Sequence, residues 1–365
     1  MRFKKITIIG LGLIGGSLAA VFKRKNVPAI ITGVDFENVV RKALGQGLID
    51  EAHALENVAA GVSGADLVII ATPIQSIIET LDAVGKHVAP GTLVTDVGST
   101  KSKIVAEANK RLPTGVYFLG GHPMAGAERG GLENADPLLF ENAIYVLTAS
   151  TSIPSAVRKD FVSLVELMGA KAVFLTAKLH DEIAAVVSHL PQVLAVTLMN
   201  YAAHLNERDA AYLNLAAGGF RNMTRVASSP FDIWRDIIAT NKANIRSAID
   251  NFMAELARMR ELLDSGELKD MFTDAATSRL SIPKDTRGFI RPHFDLFVVV
   301  EDKPGIIARI STAIADEKIN IKDIEVVKVR EGDAGTIRLA FENADDRAAA
   351  AELLTGGGFE TRIKD

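Results

Sequence analysis

The feature that most constrains this chain is a glycine spacing close to its start. Ile6-Thr-Ile-Ile runs into Gly10-Leu-Gly12-Leu-Ile-Gly15, so a G-x-G-x-x-G follows a β-rich apolar run and opens a helical pattern. In such a turn the first glycine permits the tight reversal and the second lets the backbone approach a pyrophosphate. The third lets helix and strand pack closely. The pyrophosphate then rests on a helix N-terminus, where free N–H groups and the helix dipole favour anions. Leu13 and Ile14 complete the loop as cofactor-binding candidates, and Thr72 and Pro73, just past a later strand, are two more. Asp35 ends the next strand, 20 residues beyond Gly15. A carboxylate there accepts hydrogen bonds from the adenosine ribose and repels a 2′-phosphate, and no Arg follows it immediately, which favours NAD over NADP. The competing role for Asp35 is that of a simple turn residue.

The surrounding pattern extends this reading. Short β-rich runs at Lys5–Ile9, Ile30–Val34, Asp66–Ala71, Thr92–Asp96, Val116–Leu119, Ala143–Leu147 and Ala172–Leu175 alternate with helical stretches such as 74–88, 101–112 and 155–168. Continuous apolar runs suit parallel strands covered on both faces, and the alternation implies a Rossmann-type doubly wound α/β domain over 1–175. From 176 to 264 the chain is Ala- and Leu-rich with helical spacing throughout. A long helix over 177–204 should kink at Pro191, a second should start near Ser229, and a third should cover 242–263. So apolar an all-helical module is expected to bury a face in a homodimer. Residues 265–292, with Gly266, Pro283, Gly288 and Pro292, read as a linker. Beyond them, 293–365 follow the order βαββαβ of a ferredoxin-like sandwich. The fold class is therefore α/β, with three modules.

Composition excludes several classes. A net charge of −4 gives no reason to expect nucleic acid or an anionic membrane as partner. The absence of cysteine rules out disulfides, thiolate metal sites and a cysteine nucleophile. Seven histidines are scattered without metal-ligand spacing, so no metal is expected. The first 22 residues superficially resemble a signal peptide, but the glycine spacing explains them better. No uninterrupted apolar run reaches the roughly 18 residues needed to span a bilayer. The protein reads as cytoplasmic.

Two further segments, Asp96-Val-Gly-Ser99-Thr-Lys101 and Gly120-Gly-His122-Pro-Met-Ala-Gly126-Ala-Glu128, follow strands and are placed at carboxyl ends of parallel strands, where ligands bind in open α/β sheets. A third, Gly218-Gly-Phe-Arg221-Asn-Met-Thr-Arg225-Val-Ala, lies in the helical region ahead of Trp234. With Ser188-His-Leu-Pro191 and the glycine loop, this ordered set resembles the TyrA family of prephenate and arogenate dehydrogenases. The terminal unit, with Glu301-Asp-Lys-Pro304-Gly305 and Ile319-Asn-Ile-Lys-Asp-Ile-Glu, resembles an ACT domain. Together the two resemblances cover nearly the whole chain.

The TyrA resemblance implies oxidation of prephenate at its ring hydroxyl carbon, hydride passing to NAD, and loss of the ring carboxylate as CO2. It assigns His122 as the acceptor of the substrate hydroxyl's hydrogen bond, a role that suits neutral imidazole; the alternative is a loop His bonded to backbone. Ser99 matches the serine that bridges hydroxyl, His and nicotinamide, and it is also placed to N-cap the following helix. Arg225 matches the arginine that binds a substrate carboxylate, a task suited to a bidentate guanidinium, although surface ion pairing is its competing role. Glu128 matches an acid that joins that arginine in some members, and Lys101 belongs to the serine motif; both are substrate-binding candidates. Trp234 is read either as an aromatic near the pocket or as packing the dimer core, and His189 either as pocket-lining or as packing between helices. Gln192 stands where many relatives have His, Asn222 where they have Asp, and Ala127 where they have Thr or Ser. Amides near the substrate side chain favour a keto group over an ammonium, hence prephenate over arogenate. For the ACT unit, the resemblance and the backbone N–H groups at the Pro304–Gly305 turn make Asp302, Pro304 and Gly305 effector-binding candidates, with tyrosine expected by feedback logic or, alternatively, a purely oligomeric role.

Overall fold

The computed structural model describes residues 2–126, 129–148, 153–265, 268–281, 294–301, 303–328 and 334–363. The chain divides into two compact units, 1–269 and 270–365.

The first unit is built on a parallel sheet of β1 (Lys5–Ile9), β2 (Ile30–Asp35), β3 (Glu51–Ala54), β4 (Leu67–Ile70), β5 (Leu93–Asp96) and β6 (Tyr117–Leu119). Their order, β3-β2-β1-β4-β5-β6, is that of a doubly wound nucleotide-binding fold. Helices α1 (Leu13–Arg24), α2 (Glu37–Gly45), α3 (Val58–Val62), α4 (Ile74–His87) and α5 (Ser102–Arg111) provide the connections. The strands are apolar on both faces because each face has its own core. Ile6, Ile8 and Leu67 pack towards Leu18 and Phe22, whereas Ile9, Val68 and Ile70 pack towards Ile77 and Leu81 of α4. The order reverses between β1 and β4, so the ends of those strands open the crevice in which such sheets bind ligands.

Two strands lie outside the sequence-based expectation. β3 pairs at the sheet edge, and Glu-Ala-His-Ala carries no apolar period by which to recognise it. β7 (Gly121–Pro123) is three residues long and runs antiparallel to β8 (Ile144–Thr148), which pairs in parallel with β9 (Lys171–Leu175). His122 is thus not at the end of a strand of the main parallel sheet. It sits within a strand of a second, three-stranded sheet, opposite Val146. Helix α6 (Ser155–Leu167) packs beneath this sheet through Val157, Phe161 and Leu164.

The helical part begins with an unbroken helical run. α7 (Ala177–Ala184) passes through a π-helical turn at Ala185–His189 into α8 (Leu190–Asn206). Where a kink was expected at Pro191, the helix carries this π-helical turn just ahead of it: proline has no N–H to donate back, and a wider turn accommodates the lost bond. By length and mean hydropathy, 177–206 would suit a membrane span, which counting uninterrupted apolar runs did not anticipate. It nevertheless buries His180, Asp181, His189 and Gln192, the polar pattern of a helix packed in protein. Short helices α9 (Ala211–Asn214) and α10 (Gly218–Thr224) follow, then a 3-10 turn over Arg225–Ser228. Next comes α11 (Phe231–Ser265), broken by non-helical angles at Asn241 (φ −125°, ψ 22°), so the two helices expected from the sequence meet there end to end. Ile237, Ile245 and Ala248 of α11 share a core with α4 and the main sheet, fixing the helical part against the nucleotide-binding part.

Helix α12 (Lys269–Ser281) occupies part of the segment read as a linker, where helix-forming residues stand between Gly266 and Pro283. The terminal module has strands β10 (Phe294–Glu301), β11 (Asp323–Lys328), β12 (Ala334–Phe341) and β13 (Glu360–Ile363), with helices α13 (Ile306–Asp316) and α14 (Ala344–Gly356). Its antiparallel sheet, β11-β12-β10-β13, is the expected ferredoxin-like arrangement. Leu296, Val298, Ile337 and Leu339 face Ile310, Ile314 and Leu354 of the helices.

Candidate active site

The glycine loop has the geometry its spacing implies. Gly10 adopts φ 90°, and a Cβ there would meet the Ala71 carbonyl oxygen at 2.7 Å. A Cβ on Gly15 would stand 1.8 Å from the Gly10 carbonyl oxygen, so α1 starts this close to β1 only with glycine at 15. A Cβ on Gly12 would meet nothing within 4 Å, leaving open space at the N-terminus of α1 beside Leu13 and Ile14. No side chain caps that helix start and no acid lies in its first turn, so its field is available to an anion. The Asp35 carboxylate accepts the Leu11 N–H at 2.5 Å and the Phe36 N–H at 2.6 Å, binding the loop to the end of β2. Thr72, between β4 and the exposed Pro73, has a buried hydroxyl with no hydrogen-bond partner among the described residues. Space, helix terminus, acid and an unsatisfied hydroxyl at one crevice fit a bound dinucleotide.

Beside this crevice the structure assembles a cluster that no local motif announces. His122 Nδ1 lies 2.8 Å from His180 Nε2, and His180 Nδ1 lies 2.8 Å from Asp181 Oδ1. Asp181 Oδ1 also accepts the Lys101 N–H at 2.7 Å, and Oδ2 accepts the Ser102 N–H at 2.8 Å. Asp181 therefore caps α5 from another helix. The capping role open to Ser99 falls away: the helix starts at Ser102, and Ser99 stands half-buried in the loop before it. Asn241, freed from helical geometry at the break in α11, donates to the Asp181 carbonyl at 2.8 Å and to His189 Nδ1 at 3.2 Å.

The electrostatics follow from burial. His122 is held well below its ordinary pKa, first by desolvation and then by the nearby Lys101 ammonium, so it is neutral near pH 7. Burial lowers His189 to about 4. Burial alone would raise Asp181, but hydrogen bonds from His180, Ser102 and Lys101 outweigh it and keep the carboxyl below the usual range.

Lys101 departs from expectation. Its ammonium is fully buried, ion-paired with the fully buried Asp96, and donates to the Gly121 carbonyl at 2.7 Å. Fully buried and bonded to Asp96 and Gly121, it is an internal tie between β5 and β7 with no surface to offer a substrate. His189 is also buried and meets Trp234 edge-on at 6.0 Å, so both pack within the chain's own helical part. Gln192 is buried in α8, whereas Asn222 is exposed on α10, so the two amides occupy different environments. Arg225 is exposed on the turn against α8, as is Arg221 one helical turn earlier. Glu128, Ala127 and Asp302 lie outside the described residues. Pro304 and Gly305 are exposed at the start of α13, where Gly305 adopts φ 87° and no side chain caps the helix.

His180, Asp181 and Asn241 are the residues that sequence reasoning missed. A His-Asp pair near the start of a helix was the one available signal, and it acquires meaning only when β7 is brought alongside.

Comparison with known proteins bears on all three modules. Residues 18–174 match the prephenate dehydrogenase nucleotide-binding domain, 176–275 the prephenate dehydrogenase dimerization domain, and 294–354 the ACT domain. A prephenate dehydrogenase from Bacillus subtilis (strain 168) is 34% identical over 354 residues, covering 96% of this chain and 95% of that protein. The crystal structure of prephenate dehydrogenase from A. aeolicus in complex with hydroxyphenyl propionate and NAD+ superposes with a TM-score of 0.72 at 30% identity. It covers 77% of this chain and 99% of that one. Synechocystis arogenate dehydrogenase superposes with a TM-score of 0.67 at 30% identity, over 75% of this chain and 98% of that one.

Proposed function

This chain belongs to the prephenate dehydrogenase family, and from that premise we propose that it oxidises prephenate with NAD, giving 4-hydroxyphenylpyruvate, CO2 and NADH. The observation that carries the mechanistic reading is the neutral, half-buried imidazole of His122, anchored at Nδ1 and placed next to the nucleotide crevice. NAD supplies the hydride acceptor. As the ring C–H electrons depart as hydride, the hydroxyl proton passes to His122 Nε2 and the carbon becomes a carbonyl. The electrons of the C–COO bond then move into the ring towards that carbonyl oxygen, CO2 leaves, and the imidazolium returns its proton to the phenolate. His122 thus ends as it began, and aromaticity drives the second half. Ser99, in the loop after β5, is placed in this reading to orient the hydroxyl.

Arg225 is assigned to a substrate carboxylate. Its side chain is exposed, and a guanidinium binds a carboxylate through two parallel hydrogen bonds. Arg225→Ala is expected to raise the KM for the substrate by about 10- to 100-fold, the worth of a charged hydrogen-bonded pair, with a smaller change in kcat. An unaltered KM, measured from initial rates of NADH formation, would move the carboxylate site elsewhere.

The same reading includes a homodimer and a tyrosine effector. Val187, Tyr201, Leu215, Met223 and Phe231 of the helical part are each more than half exposed, an apolar surface of the kind a partner copy covers. The uncapped start of α13 is the place for the effector's carboxylate. A cytoplasmic location belongs to the same reading. The deciding assay compares NADH formation from prephenate and from arogenate, with NAD and with NADP, with and without tyrosine. Prephenate with NAD is expected to be fastest and tyrosine to slow it. Equal or faster turnover of arogenate would replace the substrate assignment, which the likeness to an arogenate dehydrogenase makes a pointed comparison.

A further inference from the structure

We propose that His180, held by Asp181, is a positioning residue that sets which nitrogen of His122 carries its proton. The inference rests on His122 being the proton acceptor. The hydrogen bonds run in one direction, from His122 through His180 to Asp181. Asp181 accepts two backbone N–H groups as well as His180, which suits a carboxylate that is ionised and has no proton to give. The contact between His180 Nδ1 and Asp181 Oδ1 is therefore an N–H donated to oxygen. In neutral His180 the hydrogen on Nδ1 leaves Nε2 with a lone pair. His122 Nδ1, 2.8 Å away, must then be the donor, and the lone pair of His122 falls on Nε2. Proton acceptance needs that lone pair on the nitrogen not already occupied inside the protein.

The surroundings make this arrangement directional. His180 and Asp181 are 2% and 1% exposed, so water does not compete for either bond. Asp181 is held from three sides, by the start of α5, by His180 and, through its backbone carbonyl, by Asn241. The rings of His122 and His180 meet at 73°, which lets the lone pair of one lie towards the N–H of the other. When His122 becomes an imidazolium during turnover, its Nδ1–H remains bonded to a chain that ends in a carboxylate. The chain thus orients the base and stabilises its charged form without itself touching substrate.

Three measurements test this. In protein labelled with 15N-histidine, the signals of His122, assigned by their loss in His122→Gln, are expected to show the Nδ1–H tautomer at neutral pH. This reading needs no turnover, so it stands apart from the function assignment. His180→Leu is expected to lower kcat by about 10²-fold or more, since a misplaced tautomer disables a His base, and to change the KM for NAD by less than about 2-fold. His180→Gln, whose amide oxygen is able to accept the His122 N–H, is expected to recover kcat to within about 10-fold of the unaltered enzyme. An Nε2–H tautomer for His122 in the unaltered enzyme would overturn the proposal. So would a folded His180→Leu enzyme with unchanged kcat, or equal losses in the Leu and Gln variants.

Discussion

His122→Asn is expected to lower kcat by about 10²- to 10⁴-fold while leaving NAD affinity nearly unchanged. The expectation follows from where the residue sits. His122 lies on β7, a strand of the small second sheet, whereas the glycine loop and Asp35 belong to the ends of β1 and β2 in the main sheet. Asparagine preserves polarity and approximate size at 122 but has no nitrogen basic enough to take a proton. NAD affinity, read by the quenching of protein fluorescence or by calorimetry, therefore separates a lost base from a damaged fold. The pH profile adds a second reading. Because burial and the neighbouring Lys101 hold His122 well below its ordinary value, the active neutral form persists through pH 7 and below. The acid limb of kcat/KM should then fall at a pH lower than about 6.5, the unperturbed value. A kcat within a few-fold of the unaltered enzyme would remove His122 from the chemistry.

The parts of this molecule that were legible in its sequence are those in which chemistry is local. The glycine spacing determines a turn because Gly10 and Gly15 each lie against backbone that admits no Cβ. Apolar runs such as Leu67–Ile70 give away the parallel strands because both faces are covered. The terminal βαββαβ order is visible because its strands and helices each carry their own period. Other features are set by partners remote in the chain and leave no local trace. β7 is a Gly-His-Pro triplet that becomes a strand only by pairing with β8. Asp181 is chemically an ordinary helix acid until α5 starts against it, and Asn241 gains its two bonds only where α11 breaks. Lys101 shows the opposite error. Its motif neighbours suggested a ligand for substrate, but Asp96, five residues earlier in the same motif, claims its charge.

That pair leads to the second large effect. Lys101→Met is expected to reduce the free energy of unfolding by about 3–5 kcal/mol, because it strands a carboxylate in a site with no access to water. Asp96 would keep the Gly98 N–H at 2.8 Å and the Gly121 N–H at 3.2 Å, but two amides do not replace an ammonium. Burial already pushes the Asp96 carboxyl up and the Lys101 ammonium down, each opposed by attraction to the other. Without the lysine that attraction vanishes and the carboxyl rises further. A carboxyl raised in the folded state costs nothing below its unfolded value of about 3.9, an increasing amount as pH climbs from there to its folded value, and a constant amount above it. The deficit, measured by urea unfolding, should therefore widen from pH 5 to pH 8. The double variant Lys101→Met with Asp96→Asn removes both charges and should recover much of the loss, as replacement of a whole buried pair commonly does. Activity should not recover in parallel. The ammonium's bond to the Gly121 carbonyl, with the Gly121 N–H donated to Asp96, ties β7 to the end of β5, and His122 is the next residue along. A loss below about 1 kcal/mol, or one that does not change with pH, would mean that the buried pair is not what holds the two sheets together.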